Sequence, residues 1–375
     1  MKKFCALILI LVLPLPALAG SAGTTAADFL QLGVGPRAVA MGEAQVGLAD
    51  DVYATYWNPA GLSQLRNQEA GFVQTQYLEN IQTEYLAYAY PNERLGTFAG
   101  SFTYLNVGQF QGFDAAGQPT GNVGANDMAL AFSYARPLWQ NRRLDSSLSA
   151  GVSGKWIQEN LDAVTGRAYA FDGGLLYTPG LAWGEVFKGW RAGLALRNAG
   201  TPLKFDQDSF ALPRSLTAGL SWTGVFLGET VTLAADAQQP SDGSQSFGVG
   251  AEVTTLEILI LRAGYTTFED IGNGVRAGVG LRLKTLLVDY SYSNGGDFGA
   301  VQRIGVTFRF GTKPEDPQAK AEVLYLKGVK EYQKGRYTDA LVDFNKTLEI
   351  DPSHPQALDM MHKTYDQLKT IAPDQ

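Results

Sequence analysis

Residues 303–310 of the chain read Arg-Ile-Gly-Val-Thr-Phe-Arg-Phe, and this stretch decides the fold class. Apolar residues alternate strictly with polar or small ones, which is the pattern of a β-strand whose two faces meet different environments. In a soluble sandwich the apolar face would pack on a core and the arginines would meet water. In an outer-membrane barrel the apolar face meets lipid and the arginines line a wet lumen.

The same alternation recurs in about fourteen runs between Glu69 and Phe310. Each run is close to the ~9–11 residues that a tilted membrane strand needs, and turn signals such as Asn273-Gly274 separate neighbouring runs. Aromatic residues lie near several run ends, as an interfacial girdle requires: Trp139, Trp156, Trp190, Trp222 and Tyr265. The pattern predicts a mainly β protein, an antiparallel transmembrane barrel of about 14 strands. A large soluble all-β protein is the alternative.

Arginines occupy the polar positions of several of these runs. The alternation assigns five of them to the lumen: Arg262, Arg276, Arg282, Arg303 and Arg309. Polar lumens are normal in barrels, so these arginines favour a wet interior without naming what it holds.

The N-terminus predicts export. Lys2 and Lys3 precede an apolar run that ends at Leu13, and residues 17–19 (Ala-Leu-Ala) form a small-x-small cleavage site. Residues 1–19 are therefore predicted to be a signal peptide. Because the single cysteine, Cys5, lies within it, the mature chain is expected to have neither a disulfide nor a catalytic thiol.

The composition changes near the end of the strand-rich region. The last 64 residues carry 20 charged side chains, whereas the preceding 311 residues carry 47. This break predicts a barrel over residues 67–311, a linker over 312–317 and a separate tail domain over 318–371. The formal charge of −7 offers no basic patch for nucleic acid.

Catalysis has little support in the sequence. The only histidines, His354 and His362, lie in the tail, so the barrel can build neither a Ser–His nucleophile nor a His/Cys metal site. The neighbouring carboxylates at 50–51 and 269–270 are expected to be solvated turn residues. We therefore predict a non-enzymatic protein with no catalytic residue, no metal site and no cofactor.

The segment before the first strand has a distinctive sequence. Residues 29–42 are punctuated by glycine, and residues 57–62 read Trp-Asn-Pro-Ala-Gly-Leu. These stretches resemble the N-terminal signature of the PorV/PorQ family, a branch of the FadL-like outer-membrane proteins, and the wider resemblance covers roughly residues 22–311. It implies a fourteen-stranded barrel with an N-terminal plug, here residues 20–66. The motif residues are expected to shape that plug: Trp57, Asn58, Pro59, Ala60 and Gly61.

Residues 303–310 also resemble the C-terminal sorting signal of bacterial outer-membrane barrels, with Gly305, Phe308 and Phe310 as the signal residues. In this chain the signal is internal, because the tail domain follows it. The insertion machinery is therefore expected to read it about sixty residues before the end of the sequence.

The tail shows the spacing of a tetratricopeptide repeat. The repeat-defining residues are Gly328, Tyr332, Tyr337, Ala340, Phe344 and Pro352. A third predicted helix gives about one and a half repeats, an all-α module suited to protein interaction. An even number of strands returns the chain to the side where it began, so the tail is expected to lie in the periplasm.

Two functions remain open from the sequence. The resemblance implies an accessory or docking component of type IX-like protein secretion, embedded in outer-membrane lipid and contacting periplasmic or secretion-machinery proteins through the repeat tail. The alternative is a FadL-like transporter of hydrophobic small molecules, which would bind such ligands in the barrel. The family signature and the attached repeat favour the first.

Overall fold

A computed structural model of the protein describes residues 24–371 with short gaps. The gaps are residues 78–80, 93, 142–143, 163, 185–186, 207, 268–271, 297–298 and 313–316. The predicted signal peptide and the carboxylate pair at 269–270 therefore lie outside the described residues.

The described residues form sixteen β-strands. Their bounds are β1 Asn67–Gln76, β2 Gln82–Asn92, β3 Gly96–Phe113, β4 Pro119–Asn141, β5 Ser146–Leu161, β6 Val164–Thr178, β7 Trp190–Gly200, β8 Leu203–Phe205, β9 Asp208–Phe210, β10 Ser215–Phe226, β11 Glu229–Pro240, β12 Ser246–Thr255, β13 Leu259–Thr266, β14 Val275–Leu283, β15 Leu286–Asn294 and β16 Ala300–Thr312. Strands β8 and β9 form a short hairpin beside β6.

The other fourteen strands close into an antiparallel barrel. Each pairs with its neighbour in sequence, β7 pairs with β10 past the short hairpin, and β16 returns to pair with β1. The predicted fourteen-stranded barrel is thus confirmed, and closure removes the open sheet edges that a membrane does not tolerate. We call the end where β1 begins and β16 ends the tail-side end, and the opposite end the far end.

Strand β16 illustrates the two faces of the barrel wall. Ile304 and Phe308 are 55% and 51% exposed on the outer face, whereas Arg303 and Thr307 are buried on the inner face. The register with β1 and β15 extends this alternation around the closure. The outer face therefore presents apolar side chains as a lipid-facing belt does.

Short helices precede the barrel and longer ones follow it. Their bounds are Asp28–Gln31 and Pro59–Gln64 (3₁₀), Pro36–Ala40 and Ala54–Trp57 (α) before β1, Gly180–Trp183 (3₁₀) after β6, and the α-helices Pro317–Gln333, Tyr337–Ile350 and Pro355–Ile371 after β16. Within the described part of the chain, no helix combines the length and apolar character needed to cross a membrane.

The three last helices pack around Phe344, which is fully buried. A Cβ on Gly328 would lie 2.6 Å from the ring of Phe344, so only glycine lets the first tail helix come this close to the second. Tyr332 and Tyr337 form an edge-to-face ring pair across the turn between these helices, 5.3 Å apart. Strand β16 ends at Thr312, one residue after the predicted end of the barrel at residue 311. The first tail helix begins at Pro317, one residue before the predicted start of the tail at residue 318.

Position along the strand should decide the cost of a charge on the outer face. Ile304 lies near the middle of the wall, paired with Tyr290, whereas Phe310 lies at the tail-side end beside Gln68. In lipid vesicles, Ile304→Arg is expected to lower the free energy of unfolding by ~2–4 kcal/mol and Phe310→Arg by ~0–1 kcal/mol. Denaturant titration of both variants measures the difference, and equal losses would contradict the lipid-facing assignment.

Candidate functional site

Residues 24–66, here called the N-terminal segment, lie inside the barrel. The carboxylate of Asp236 on β11 accepts the N–H groups of Gln45 and Val46 at 2.8 and 2.7 Å. Five strands further round the wall, Tyr53 and Thr307 of β16 share a hydroxyl hydrogen bond of 3.2 Å. Contacts with two separate parts of the inner wall require the segment to occupy the interior.

Glycines on the inner wall allow the segment to approach so closely. A Cβ on Gly264 of β13 would lie 2.2 Å from the backbone nitrogen of Gly42, and one on Gly250 of β12 would lie 2.3 Å from the carbonyl oxygen of Met41. Backbone therefore packs on backbone at this point, with no room for any side chain. The alternating glycines of the strands serve this contact.

The motif at residues 57–61 forms the turn between two helices. Asn58 has an extended backbone (φ −157°), which ends the helix Ala54–Trp57, and Pro59 then begins the 3₁₀ helix. This agrees with the preference of residues before proline for extended conformations. Ala60 is fully buried, and a Cβ on Gly61 would lie 2.1 Å from the carbonyl oxygen of Ala49.

The side chain of Asn58 fixes this turn in place. Its Nδ2 donates to the carbonyl oxygens of Val46 at 2.9 Å and of Leu175 on β6 at 3.1 Å, and its Oδ1 accepts from the N–H of Ala60 at 3.1 Å. Trp57 likewise donates its indole N–H to the carbonyl of Val34 at 2.8 Å. All these groups are engaged by the protein, so the motif organises the segment.

A buried charge network ties the segment to the wall. Arg37 makes a two-point contact with Glu252 of β12, with Nε at 2.8 Å and Nη2 at 3.0 Å from the two carboxylate oxygens. The same Glu252 accepts from Arg262 of β13 at 2.7 Å, and Arg262 also contacts Asp289 of β15. Each charge in this chain of contacts has an opposite charge beside it, as burial requires.

Asp50 and Asp51 belong to the same network. Both carboxylates form ion pairs with Arg37, and Asp51 is 5% exposed. The sequence-based interpretation of this pair as solvated turn residues is therefore wrong. The physical reason is that the turn lies inside the barrel, where Arg37 forms ion pairs with both carboxylates.

The other candidate arginines occupy different depths of the inner face. Arg276 and Arg303 are each 1% exposed, and Arg303 donates to Ser293 at 3.2 Å and to the hydroxyl of Tyr77 at 3.1 Å. Arg309 donates to Glu69 at 2.8 Å near the tail-side end. Arg282, on the same face of β14 as Arg276, is exposed at that end. The five arginines therefore do not form one cluster.

The sequence reasoning missed the acidic partners and a second buried pair. Lys155 of β5 contacts Asp172 of β6 at 2.7 Å and donates to Asn198 of β7 at 2.8 Å. Like Glu252 and Asp236, these residues occupy inward positions of otherwise glycine- and serine-rich faces. In the sequence, a single charged residue at an inward position of a strand was the signal that could have identified each of them.

Two of the cavities around the N-terminal segment differ in their lining. The far-end cavity measures about 460 Å³ and is mostly apolar, with three carboxylates at its boundary; its lining is Ala26, Ala27, Asp28, Phe29, Leu32, Tyr77, Ile81, Leu105, Asp127 and Glu159. The tail-side cavity measures about 250 Å³ and is mostly polar; its lining is Arg37, Asp50, Gln64, Leu65, Arg66, Asn67, Glu69, Arg262, Arg282, Leu287 and Arg309. The two cavities thus differ in chemistry and lie at opposite ends of the barrel.

The predicted insertion-signal residues lie on β16. Phe308 and Phe310 are exposed on the outer face, and the ring of Phe310 stacks on Tyr88 of β2 at 6.2 Å. Gly305 faces inward, where its missing side chain leaves room for Pro36. No group of three or more potential metal ligands occurs among the residues that the structure describes.

The first tail helix docks on turns at the tail-side end of the barrel. Gln333 accepts the N–H of Gly228 in the β10–β11 turn at 2.8 Å. Lys334 lies 3.9 Å from Glu229 in the same turn, and Lys330 lies 3.9 Å from Glu257 in the β12–β13 turn. The tail is thus held by specific contacts to two successive turns.

A third contact joins the tail to the loop before β7. Lys188 forms an ion pair with Glu322 at 3.0 Å and lies 4.4 Å from the ring centre of Tyr325. His354 accepts the N–H of Ala357 at Nδ1, so its Nε2–H donates to Glu322 at 3.0 Å. Burial raises the pKa of Glu322, but His354 and Lys188 outweigh it and hold that pKa below its usual value.

The chain matches one protein-family model, described as Type IX secretion system protein PorV, over residues 19–232. The curated proteins contain no match. Among solved structures, the toluene transporter TbuX of Ralstonia pickettii is 17% identical with a TM-score of 0.54, and the match covers 76% of this chain and all of that one. The CymD monoaromatic hydrocarbon channel is 14% identical with a TM-score of 0.52, covering 75% and 98%. At these identities the solved structures establish a shared barrel fold.

Removing the Asn58 side chain should destabilise the interior. Asn58→Ala leaves the carbonyls of Val46 and Leu175 and the N–H of Ala60 without this partner, and an unsatisfied buried group costs roughly 1–3 kcal/mol. We expect the free energy of unfolding to fall by about 3 kcal/mol. Asn106→Ala, which removes only an exposed hydrogen bond to Gly108, is the control in the same denaturant titration. Equal stability of the two variants would contradict the structural role of Asn58.

Proposed function

Because the chain belongs to the family of the type IX secretion system protein PorV, we propose that it serves protein secretion as an accessory or docking barrel of the outer membrane. The family match over residues 19–232 carries this conclusion. It spans the N-terminal segment, β1 to β10 and the first residues of β11.

The N-terminal segment is proposed to act as a plug. Its residues between the helices contact two separate parts of the inner wall, at Asp236 and at Thr307. Backbone-to-backbone packing at Gly264 leaves no gap between the segment and this strand of the wall. A barrel filled in this way suits a docking role better than the role of an open pore.

Forcing the segment away from the wall should open the barrel. Gly264→Ala places a methyl group 2.2 Å from the backbone of Gly42, whereas a Cβ on Gly173 of β6 would meet no atom within 4 Å. In planar lipid bilayers, Gly264→Ala is expected to raise the ion conductance at least several-fold over the wild type, and Gly173→Ala to leave it unchanged. A conductance of Gly264→Ala equal to that of the wild type would count against the plug.

The tail is proposed to be a periplasmic tetratricopeptide-like module. The repeat spacing and the close approach at Gly328 support this assignment. The N-terminal segment enters β1 and the tail leaves β16 at the same end, as an even strand number requires. Leu358 and Tyr365 are 40% and 47% exposed on the last helix, and they offer an apolar surface to secretion-machinery or other periplasmic proteins.

Gly305, Phe308 and Phe310 are proposed to act as an internal insertion signal. The barrel is closed by the β1–β16 pairing before the tail begins. A chain that ends at Thr312 should therefore still insert into the outer membrane. This truncation separates the role of the tail from the formation of the barrel.

Crosslinking and export tests address the secretion role. A photoreactive residue at Leu358 is expected to capture a secretion-machinery protein in whole cells, whereas the same probe at exposed Lys346 on the second tail helix is expected to capture less. Deleting residues 313–375 should impair protein export and leave uptake of hydrophobic compounds unchanged. Normal export by an inserted, truncated barrel would contradict the proposed role of the tail.

Transport of hydrophobic small molecules is the second candidate. The far-end cavity of about 460 Å³, with its mostly apolar lining, favours it. Under this alternative, deleting the barrel lowers uptake of such compounds and Asn58→Ala alters it, while export remains normal. Measuring uptake and export in the same strains decides between the two functions.

A further inference from the structure

The tail-side cavity contains an unusual concentration of guanidinium groups. Five arginines and two carboxylates contribute to its lining, within about 250 Å³. Three arginines come from strands β13, β14 and β16, and the other two, Arg37 and Arg66, come from the N-terminal segment. The cavity is therefore assembled by the closed barrel and does not follow from any single motif.

These arginines differ in how far they are neutralised. Arg37 and Arg262 both form ion pairs with Glu252 in the buried network. Arg309 directs its Nε to Glu69 at 2.8 Å. The guanidinium of Arg282 forms no hydrogen bond and no ion pair with any residue that the structure describes. Arg282 therefore lines the cavity with a charged guanidinium group whose N–H donors are available to a ligand.

From this geometry we propose that the tail-side cavity binds a small oxyanion of the carboxylate or phosphate type, with Arg282 as its principal contact and Arg309 beside it. Guanidinium groups match the planar spacing of such oxygens and hold them through two parallel hydrogen bonds. A bound anion would also relieve the repulsion between the clustered positive charges.

The size and position of the cavity limit the ligand. Because one water occupies about 30 Å³ of liquid, the cavity accepts a group the size of a phosphate or of a terminal carboxylate with its residue. Arg282 and Arg66 are exposed at the tail-side end, so the ligand enters from the side on which the tail docks. Its source is either a free anion or the C-terminus of a polypeptide. Such a site is independent of whether the barrel serves secretion or transport.

Calorimetric titration of the full-length chain in detergent, at low ionic strength and without chloride, tests the proposal. The probes are inorganic phosphate, a tripeptide with a free C-terminal carboxylate, and the same tripeptide amidated. The wild type is expected to bind phosphate or the free-acid peptide. Preference for the free acid over the amide identifies a polypeptide terminus, and binding of phosphate alone identifies a free anion.

Charge-matched variants locate the site. Arg282→Gln should weaken binding at least tenfold, and Arg282→Lys should retain part of it. Arg167→Gln, which removes an arginine from exposed β6 at the far end, should bind as the wild type does. The proposal is overturned if the wild type binds none of the probes, if Arg282→Gln binds equally well, or if Arg167→Gln weakens binding to the same extent. Unchanged unfolding curves confirm that each variant is folded.

Discussion

The carboxylate of Glu252 is shared by Arg37 of the N-terminal segment and Arg262 of the barrel wall, and the arrangement of the interior depends on this shared charge. Without Arg37, Glu252 would keep one partner, and Asp50 and Asp51 would lose their common cation. Breaking a buried pair typically costs 3–5 kcal/mol because a charge is left uncompensated. These ion pairs therefore stabilise the segment inside the barrel, in addition to the close backbone packing at Gly250 and Gly264.

This constraint explains how one chain forms both a membrane wall and a filled interior. The outer face needs only apolar side chains at every second position, and many sequences meet that demand. The inner face must supply glycine where the segment's backbone approaches and a specific charge where its polar groups lie. Asp236, which receives two backbone N–H groups at once, is the clearest case. The positions that receive the segment are therefore specific to this interior, whereas the strand pattern alone fits many barrels.

The barrel could be predicted from sequence because a period of two is a local property, visible at residues 303–310 without any knowledge of the partner strands. The interior could not, because its contacts join distant positions: 215 residues separate Arg37 from Glu252. The same limitation explains the error at Asp50 and Asp51, where a polar turn was expected to face water. It also explains why the five arginines at inward positions of the alternating pattern could not be distinguished from one another in the sequence. Alternation along a strand predicts which face of the wall a side chain lies on. Only the closed structure shows its depth in the barrel, which distinguishes buried Arg276 from exposed Arg282.

The pairing of β1 with β16 has a mechanical consequence. Ten registered residue pairs join these strands, and the pair that includes Thr312 is the one nearest in sequence to the tail. A force applied to the tail, directed away from the membrane, would act along the strand axis. Such a force would load all the hydrogen bonds between the two strands in shear at the same time. It would not break them one after another. A load on the tail is therefore resisted by the whole β1–β16 seam at once.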